Sequence, residues 1–153
     1  MLTSENKVFL KELLLEECLF IQRSLLNDFT VRIEELREFY DPEFSISRGG
    51  VSIALSEINF IEEELEFAKE EMRILNFLKS NLGKPHETPE LGAVVVTDKV
   101  SFFISVSIEE FIVREDRYFG ISTRSPIFKA MRGKSKFETF AYGSTNYLIK
   151  DIF

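Results

Sequence analysis

The stretch LEECLFIQRSLLNDFTVRIEELREFY, residues 15–40, decides the fold of the first half of the chain. Its apolar residues recur in alternating steps of four and three, and seven of the eight positions in this series are apolar: Leu15, Leu19, Gln22, Leu26, Phe29, Ile33, Leu36 and Tyr40. This spacing puts the side chains on one face of an α-helix and is typical of a coiled-coil seam. Cys18, Ile21 and Leu25 widen the apolar stripe.

A second series with the same spacing predicts a second long helix. Eight of its nine positions are apolar: Ala54, Ile58, Ile61, Leu65, Ala68, Met72, Leu75, Lys79 and Leu82. The other faces carry glutamates that we expect to be solvated: Glu62, Glu63, Glu64, Glu66, Glu70 and Glu71. Pro42 and the pair Gly49-Gly50 break the helical pattern between the two series. Because neither helix can bury its stripe alone, the two are expected to pair as an antiparallel hairpin.

The hydrophobic period changes to two in the second half of the chain. Val100, Phe102, Ile104 and Val106 alternate with Ser101, Phe103, Ser105 and Ser107, which predicts a half-buried strand. Ser125-Pro126 predicts the start of a short helix with Ile127, Ala130 and Met131 on its buried face. The expected class is α+β. A helical hairpin over residues 1–82 leads through a linker at 83–91 to an antiparallel sheet domain with one short helix at 92–153.

Charge is distributed unevenly between these parts. The net charge is −7, and residues 1–82 carry 9 basic and 17 acidic side chains, against 10 and 9 in residues 83–153. An acidic chain is a poor independent partner for duplex DNA. The tract from residue 124 to residue 136 has five cations and no acid: Arg124, Lys129, Arg132, Lys134 and Lys136. This tract is either a docking surface or a patch that aids solubility.

The sequence predicts no catalytic residue, no metal site and no cofactor of the protein's own. Cys18 lies in a helical pattern and is expected to be buried and inert. His86 is expected to be an exposed linker residue without a catalytic partner. The start of the chain has no basic segment followed by an apolar run, so a cytoplasmic location is expected. Ser4 or Asn6 is the expected N-cap of the first helix.

The tip of the predicted hairpin carries two neighbouring carboxylates, Asp41 and Glu43. Such a pair can bind a divalent cation such as Mg²⁺ only if another molecule supplies the remaining ligands. The alternative is that both are ordinary turn residues, because Asp-Pro is common in turns. Phe44 and Ile46 add apolar surface to the tip, and Arg48 adds a positive charge.

Residues 125–134, SPIFKAMRGK, together with the two strands expected after them, resemble the C-terminal domain of the bacterial Gre transcript-cleavage factors. In that family Ser-Pro opens a short helix, Gly-Lys closes it and a β-hairpin follows, behind an N-terminal antiparallel coiled coil. The resemblance implies an FKBP-like sheet domain that docks on RNA polymerase, while the coiled coil enters the polymerase secondary channel. It also implies that tip acids, here Asp41 and Glu43, share an Mg²⁺ ion of the polymerase, which then cleaves its own transcript.

The tip departs from the family pattern. That pattern reads Asp, two residues, Glu-Asn, one residue, Glu-Tyr, whereas this chain has Asp41-Pro42-Glu43-Phe44-Ser45-Ile46. The family's Gly-Asp before the penultimate strand is replaced by Ser135-Lys136. We therefore expect a protein that is not itself an enzyme and that binds polymerase without efficient stimulation of cleavage. The alternative is an adaptor module whose helical hairpin binds a different partner.

Overall fold

The computed structural model describes residues 2–38 and 50–153, and for residues 50–54 it describes the backbone alone. It confirms the α+β class, with a hairpin of two long helices followed by a six-stranded sheet and one short helix. The elements are α1 (Ser4–Glu38), α2 (Gly50–Lys79), β1 (Val94–Thr97), β2 (Ser101–Ser105), β3 (Ile108–Val113), β4 (Asp116–Ser122), α3 (Pro126–Met131), β5 (Thr139–Tyr142) and β6 (Thr145–Ile152).

By contacts the chain divides into two compact units. One comprises Phe20–Arg73, and the other comprises Met1–Leu19 together with Ile74–Phe153. The sheet therefore shares its unit with the first turns of α1 and the last turns of α2. The predicted domain limits at residues 82 and 92 stay a prediction.

The unit Phe20–Arg73 is built on the two predicted seams. Ile33, Ile58 and Ile61 form a buried cluster, and partly buried apolar residues pack against it: Phe29, Leu36 and Leu65. Arg32 pairs with Glu57 across the two helices at 2.9 Å. This packing confirms the series of four-and-three steps. Tyr40 lies outside the described residues, as does the side chain of Ala54.

Two polar side chains are buried together in this apolar seam. The Gln22 side chain is 1% exposed, and its Nε2 donates to the Ala68 carbonyl oxygen at 3.0 Å and to Glu71 Oε1 at 3.4 Å. The prediction that Glu71 is solvated was wrong, because this carboxylate faces the Gln22 amide and is 9% exposed. Leu25, which was expected to widen the stripe, is exposed.

The sheet has the strand order β3-β4-β2-β1-β6-β5. Neighbouring strands are antiparallel except β2 and β4, which pair in parallel from Ser101 with Tyr118 to Ser105 with Ser122. The parallel pair differs from the predicted all-antiparallel sheet. It arises because the chain passes from β2 to the edge strand β3 and then returns through β4 to the side of β2.

One face of the sheet packs against α3. The buried cluster on this face includes Phe102, Ile104 and Ile149 from the strands and Phe128 and Met131 from the helix. Ile127 and Ala130, predicted on the buried face of the helix, lie at its margin and are partly buried. Phe128, which was not among the residues predicted on the buried face, is more deeply buried than Ile127 and Ala130.

The other face of β2 is covered as well, so the prediction of a half-buried strand was wrong. Phe103 is 0% exposed and Ser105 is 2% exposed, and the Cys18 thiol of α1 hydrogen-bonds with Ser105. Burial, reinforced by the charge of Glu17, raises the pKa of Cys18 to about 12. The prediction that Cys18 is buried is confirmed. A raised pKa leaves little of the nucleophilic thiolate, in line with the expected low reactivity.

Two details at the base of the hairpin differ from prediction. Leu78 is 2% exposed and takes the seam position expected for Lys79, which is exposed. The N-cap of α1 is Thr3, whose Oγ1 accepts a hydrogen bond from the Asn6 amide at 3.3 Å, in place of Ser4 or Asn6. Leu75 and Leu78 are three residues apart and lie on the same face of α2, and both are buried, so the buried face at this end of α2 includes Leu78 and leaves Lys79 out.

Candidate docking surface

The predicted tip residues lie outside the described residues. Asp41, Glu43, Phe44, Ile46 and Arg48 all fall within residues 39–49. Their roles stay predictions. The described residues contain no group of three or more His, Cys, Asp or Glu side chains placed to hold a metal ion. Nor does any helix described here have the length and apolar character that a bilayer crossing requires.

The helix α3 is held at both ends by hydrogen bonds that its sequence predicts. Ser125 is the N-cap, and its Oγ accepts from the Phe128 amide at 3.3 Å while donating to the Ser122 carbonyl at 2.7 Å. Pro126 occupies the first helical turn. The helix ends where the Arg132 amide donates to the Phe128 carbonyl at 2.9 Å, and Gly133 follows with φ +77°. These contacts fix the side chains around α3 against the sheet.

The five predicted cations flank this helix, and four of them carry uncompensated charge. Arg124, Lys129 and Arg132 are exposed, and Lys134 is half-buried. None of these four has an ion pair with any described residue. Lys136 differs, because its Nζ lies 3.5 Å from Asp151 Oδ1. The four unpaired cations form the basic surface of the sheet domain.

A groove of about 550 Å³ separates α3 from the linker. Arg132 and Phe128 line its helix side, and Pro89, Glu90 and Leu91 line its linker side. The lining combines apolar residues with one positive charge, on Arg132, and one negative charge, on Glu90.

Phe137 is an exposed aromatic residue that follows the basic tract in sequence. Its side chain is 73% exposed, and its backbone φ is +73°. The strand β5 begins two residues later, at Thr139. Lys136 Nζ lies over the Phe137 ring at 5.2 Å, and the Phe137 amide donates to the Ile149 carbonyl at 2.8 Å. A bulky residue at positive φ is strained, and such strain is concentrated at functional sites.

His86 was predicted to be exposed, and it is buried. Its side chain is 3% exposed, and its Nδ1 hydrogen-bonds with Glu90 Oε1. Burial lowers the pKa of His86, while the hydrogen bond to Glu90 opposes that change. The histidine therefore acts as a neutral structural group that ties the linker together near neutral pH.

Comparison with protein-family models and with curated proteins finds no match to this chain.

Proposed function

We propose that the chain is a cytoplasmic regulator of transcription elongation that binds bacterial RNA polymerase. The observation that carries the proposal is the order of its parts. A hairpin of helices with 35 and 30 residues precedes a sheet whose last elements are a Ser-capped short helix and a β-hairpin. That order is the one implied by the resemblance to the Gre family. In this proposal the helical hairpin occupies the secondary channel, and the sheet domain holds the protein on the polymerase.

The basic surface supports docking through the sheet domain. Arg124, Lys129, Arg132 and Lys134 have no ion pair with a described residue, so binding an acidic surface would not first break internal salt bridges. Phe137, which contacts Lys136 of the same tract, adds an exposed aromatic side chain. Aromatic and arginine residues are the types that most often dominate the binding energy of protein interfaces.

Affinity for core RNA polymerase tests the proposal. Arg132→Glu is expected to weaken binding and to reduce its dependence on salt, because exposed charges are screened by ions. Lys150→Glu is the matched control, since Lys150 is exposed on β6, outside the tract around α3. Equal affinity for both variants and the unaltered protein would contradict docking through this surface. Failure of the unaltered protein to bind polymerase would contradict the function itself.

Channel occupancy without efficient cleavage is the second part of the proposal. Mg²⁺ requires oxygen ligands at about 2.0–2.1 Å, and a displacement of about 1 Å can cost about a hundredfold in rate. The tip acids Asp41 and Glu43 are spaced more closely than the family pattern requires. A backtracked elongation complex incubated with Mg²⁺ and the protein should therefore keep its transcript intact. Rapid shortening that is lost on Asp41→Ala would overturn this part.

An adaptor function is favoured by a separate observation on α2. Phe60 and Phe67 are 63% and 59% exposed. Both lie on a face of α2 that is separate from the seam. Glu63 and Glu64 lie exposed between them, so the face is both aromatic and acidic. If the hairpin binds another partner there, Phe60→Ser with Phe67→Ser will abolish that binding while Arg132→Glu will not. The opposite result supports docking on polymerase through the sheet domain.

A further inference from the structure

Lys11 on α1 is buried and has no ion pair with any described residue. The residue is 3% exposed. Its Nζ donates to the Lys84 carbonyl oxygen at 3.2 Å and lies 6.0 Å from the centre of the Phe153 ring. No carboxylate of the described residues lies within the 4.0 Å that defines an ion pair with this nitrogen. Buried charges in proteins are normally paired, so this ammonium lacks the partner that its burial calls for.

Lys11 lines a cavity of about 300 Å³. Lys7, Lys11, Lys84 and His86 line this cavity, and its lining includes no Asp or Glu. Lys7 and Lys11 are four residues apart on α1 and therefore project from the same face of the helix. Lys84 and His86 come from the linker after α2. Three lysines and the imidazole of His86 thus converge on one cavity inside a single compact unit.

The nearby carboxylates lie within ion-pair distance of the outer cations, whereas Glu90 acts on Lys11 only from a longer distance. Asp151 pairs with Lys7 at 3.0 Å. Glu90 lies 3.7 Å from Lys84 and also hydrogen-bonds with His86. Both carboxylates stand outside the lining of the cavity. The charge left facing the cavity is therefore positive.

The start of α1 adds to this positive potential. Ser4, the first residue of this 35-residue helix, lines the same cavity. A helix N-terminus carries a partial positive charge and presents backbone N–H groups, which favours anions nearby. The helix end supplements the buried lysine and the cavity, which are the primary observations.

We infer that this cavity binds a small oxyanion of the phosphate class, with Lys11 as its central ligand and Lys7 and Lys84 at its rim. Lysine ammonium groups bind phosphate as compact point charges with three donors each. Lys11 uses one of those donors on the Lys84 carbonyl, so others are open to the anion. The cavity is at the small end of the range for ligand sites, which fits free phosphate or a phosphate monoester. The inference is independent of polymerase binding.

The test is a titration of the full-length chain with inorganic phosphate at constant ionic strength, followed by calorimetry and by thermal melting. Saturable binding with a rise in melting temperature is expected. Lys11→Met should weaken it at least about tenfold, the usual effect of losing a charge-assisted hydrogen bond. Lys150→Met, which removes an exposed lysine of β6, should leave it unchanged.

A parallel titration with a nucleoside monophosphate separates the two sources of the phosphate group. Binding of either compound that depends on Lys11 supports the inference and identifies the source. A stabilisation that chloride reproduces at equal ionic strength would overturn it. Equal phosphate binding by Lys11→Met and the unaltered chain would also overturn it. If a Lys11 variant failed to fold, Lys84→Met with the same titration would decide, because loss of affinity is still expected there.

Discussion

Replacing Lys11 with methionine removes the buried charge while keeping the length of the side chain. Burial lowers the pKa of Lys11 from 10.5 to about 8, although the Glu90 carboxylate acts in the opposite direction. The folded protein therefore binds fewer protons than the unfolded chain between pH 8 and pH 10.5. Stability that depends on Lys11 must rise with pH across this window and be lowest below pH 8.

The magnitude follows from the two pKa values. One pKa unit corresponds to about 1.36 kcal/mol, so this shift makes a difference of about 3 kcal/mol. At pH 7 the free-energy cost of burying a charged lysine lowers the stability of the unaltered protein, and Lys11→Met does not have this cost. At pH 10.5 Lys11 is neutral in the folded protein, so the cost is absent there too. Relative to the variant, the unaltered protein should gain about 3 kcal/mol of unfolding free energy between pH 7 and pH 10.5.

Urea denaturation of both proteins at a series of pH values, in buffer without phosphate, measures this gain. The difference between the two proteins is the informative quantity. Burial raises the pKa values of Cys18 and Tyr118, and both groups destabilise each protein equally as the pH rises. The lost hydrogen bond to Lys84 adds an offset that does not vary with pH. A constant difference from pH 7 to pH 10.5 would refute the reasoning.

Three further predictions, two of them with a control substitution, concern packing and backbone geometry and are measured by chemical denaturation. Gln22→Leu should cost about 1–3 kcal/mol, because the buried carboxylate beside it loses a donor, and a more stable variant would contradict this role. Gly120→Ala should be strongly destabilising, because the new Cβ would lie 2.5 Å from a main-chain carbonyl oxygen, whereas Gly83→Ala has open space and should be nearly neutral. Phe137→Gly should raise stability by about 1 kcal/mol through relief of its positive φ, while Ile112→Gly in a regular strand should lower it.

The helical hairpin and α3 could be predicted because their information is local. The four-and-three series identified Ile33, Ile58 and Ile61 as seam residues, since burial on a helix face follows from spacing alone. The pair Ser125-Pro126 identified the start of α3, since capping uses a side chain and a backbone group only three residues apart.

The second face of β2 could not be predicted from its pattern. The alternation of Phe103 with serines indicated a polar, solvated face, yet Ser105 is buried and its side chain contacts Cys18 of α1. Which helix lies over which strand depends on contacts between residues far apart in the chain. Burial of His86 and Glu71 was missed for the same reason, since each is buried through tertiary packing.

The candidate sites were predictable only in part. The basic tract around Arg132 is contiguous in sequence and could be read directly. The positive φ of Phe137 has no sequence signal, because glycine or asparagine is the usual residue there. The cavity beside Lys11 combines the first turns of α1 with the linker more than 70 residues later, as the Lys11–Lys84 hydrogen bond illustrates.

The position of β6 determines the order in which a nascent chain can fold. This strand lies between β1 and β5 in the sheet, although it is the last strand in chain order. On the ribosome, β1 cannot pair with β6 until residues up to Ile152 have left the exit tunnel. The ion pair between Lys7 of α1 and Asp151 also cannot form before that point. The unit Phe20–Arg73 has its packing partners within its own residues and can form earlier. A translation complex stalled before β6 would therefore display a formed helical hairpin beside an incomplete sheet.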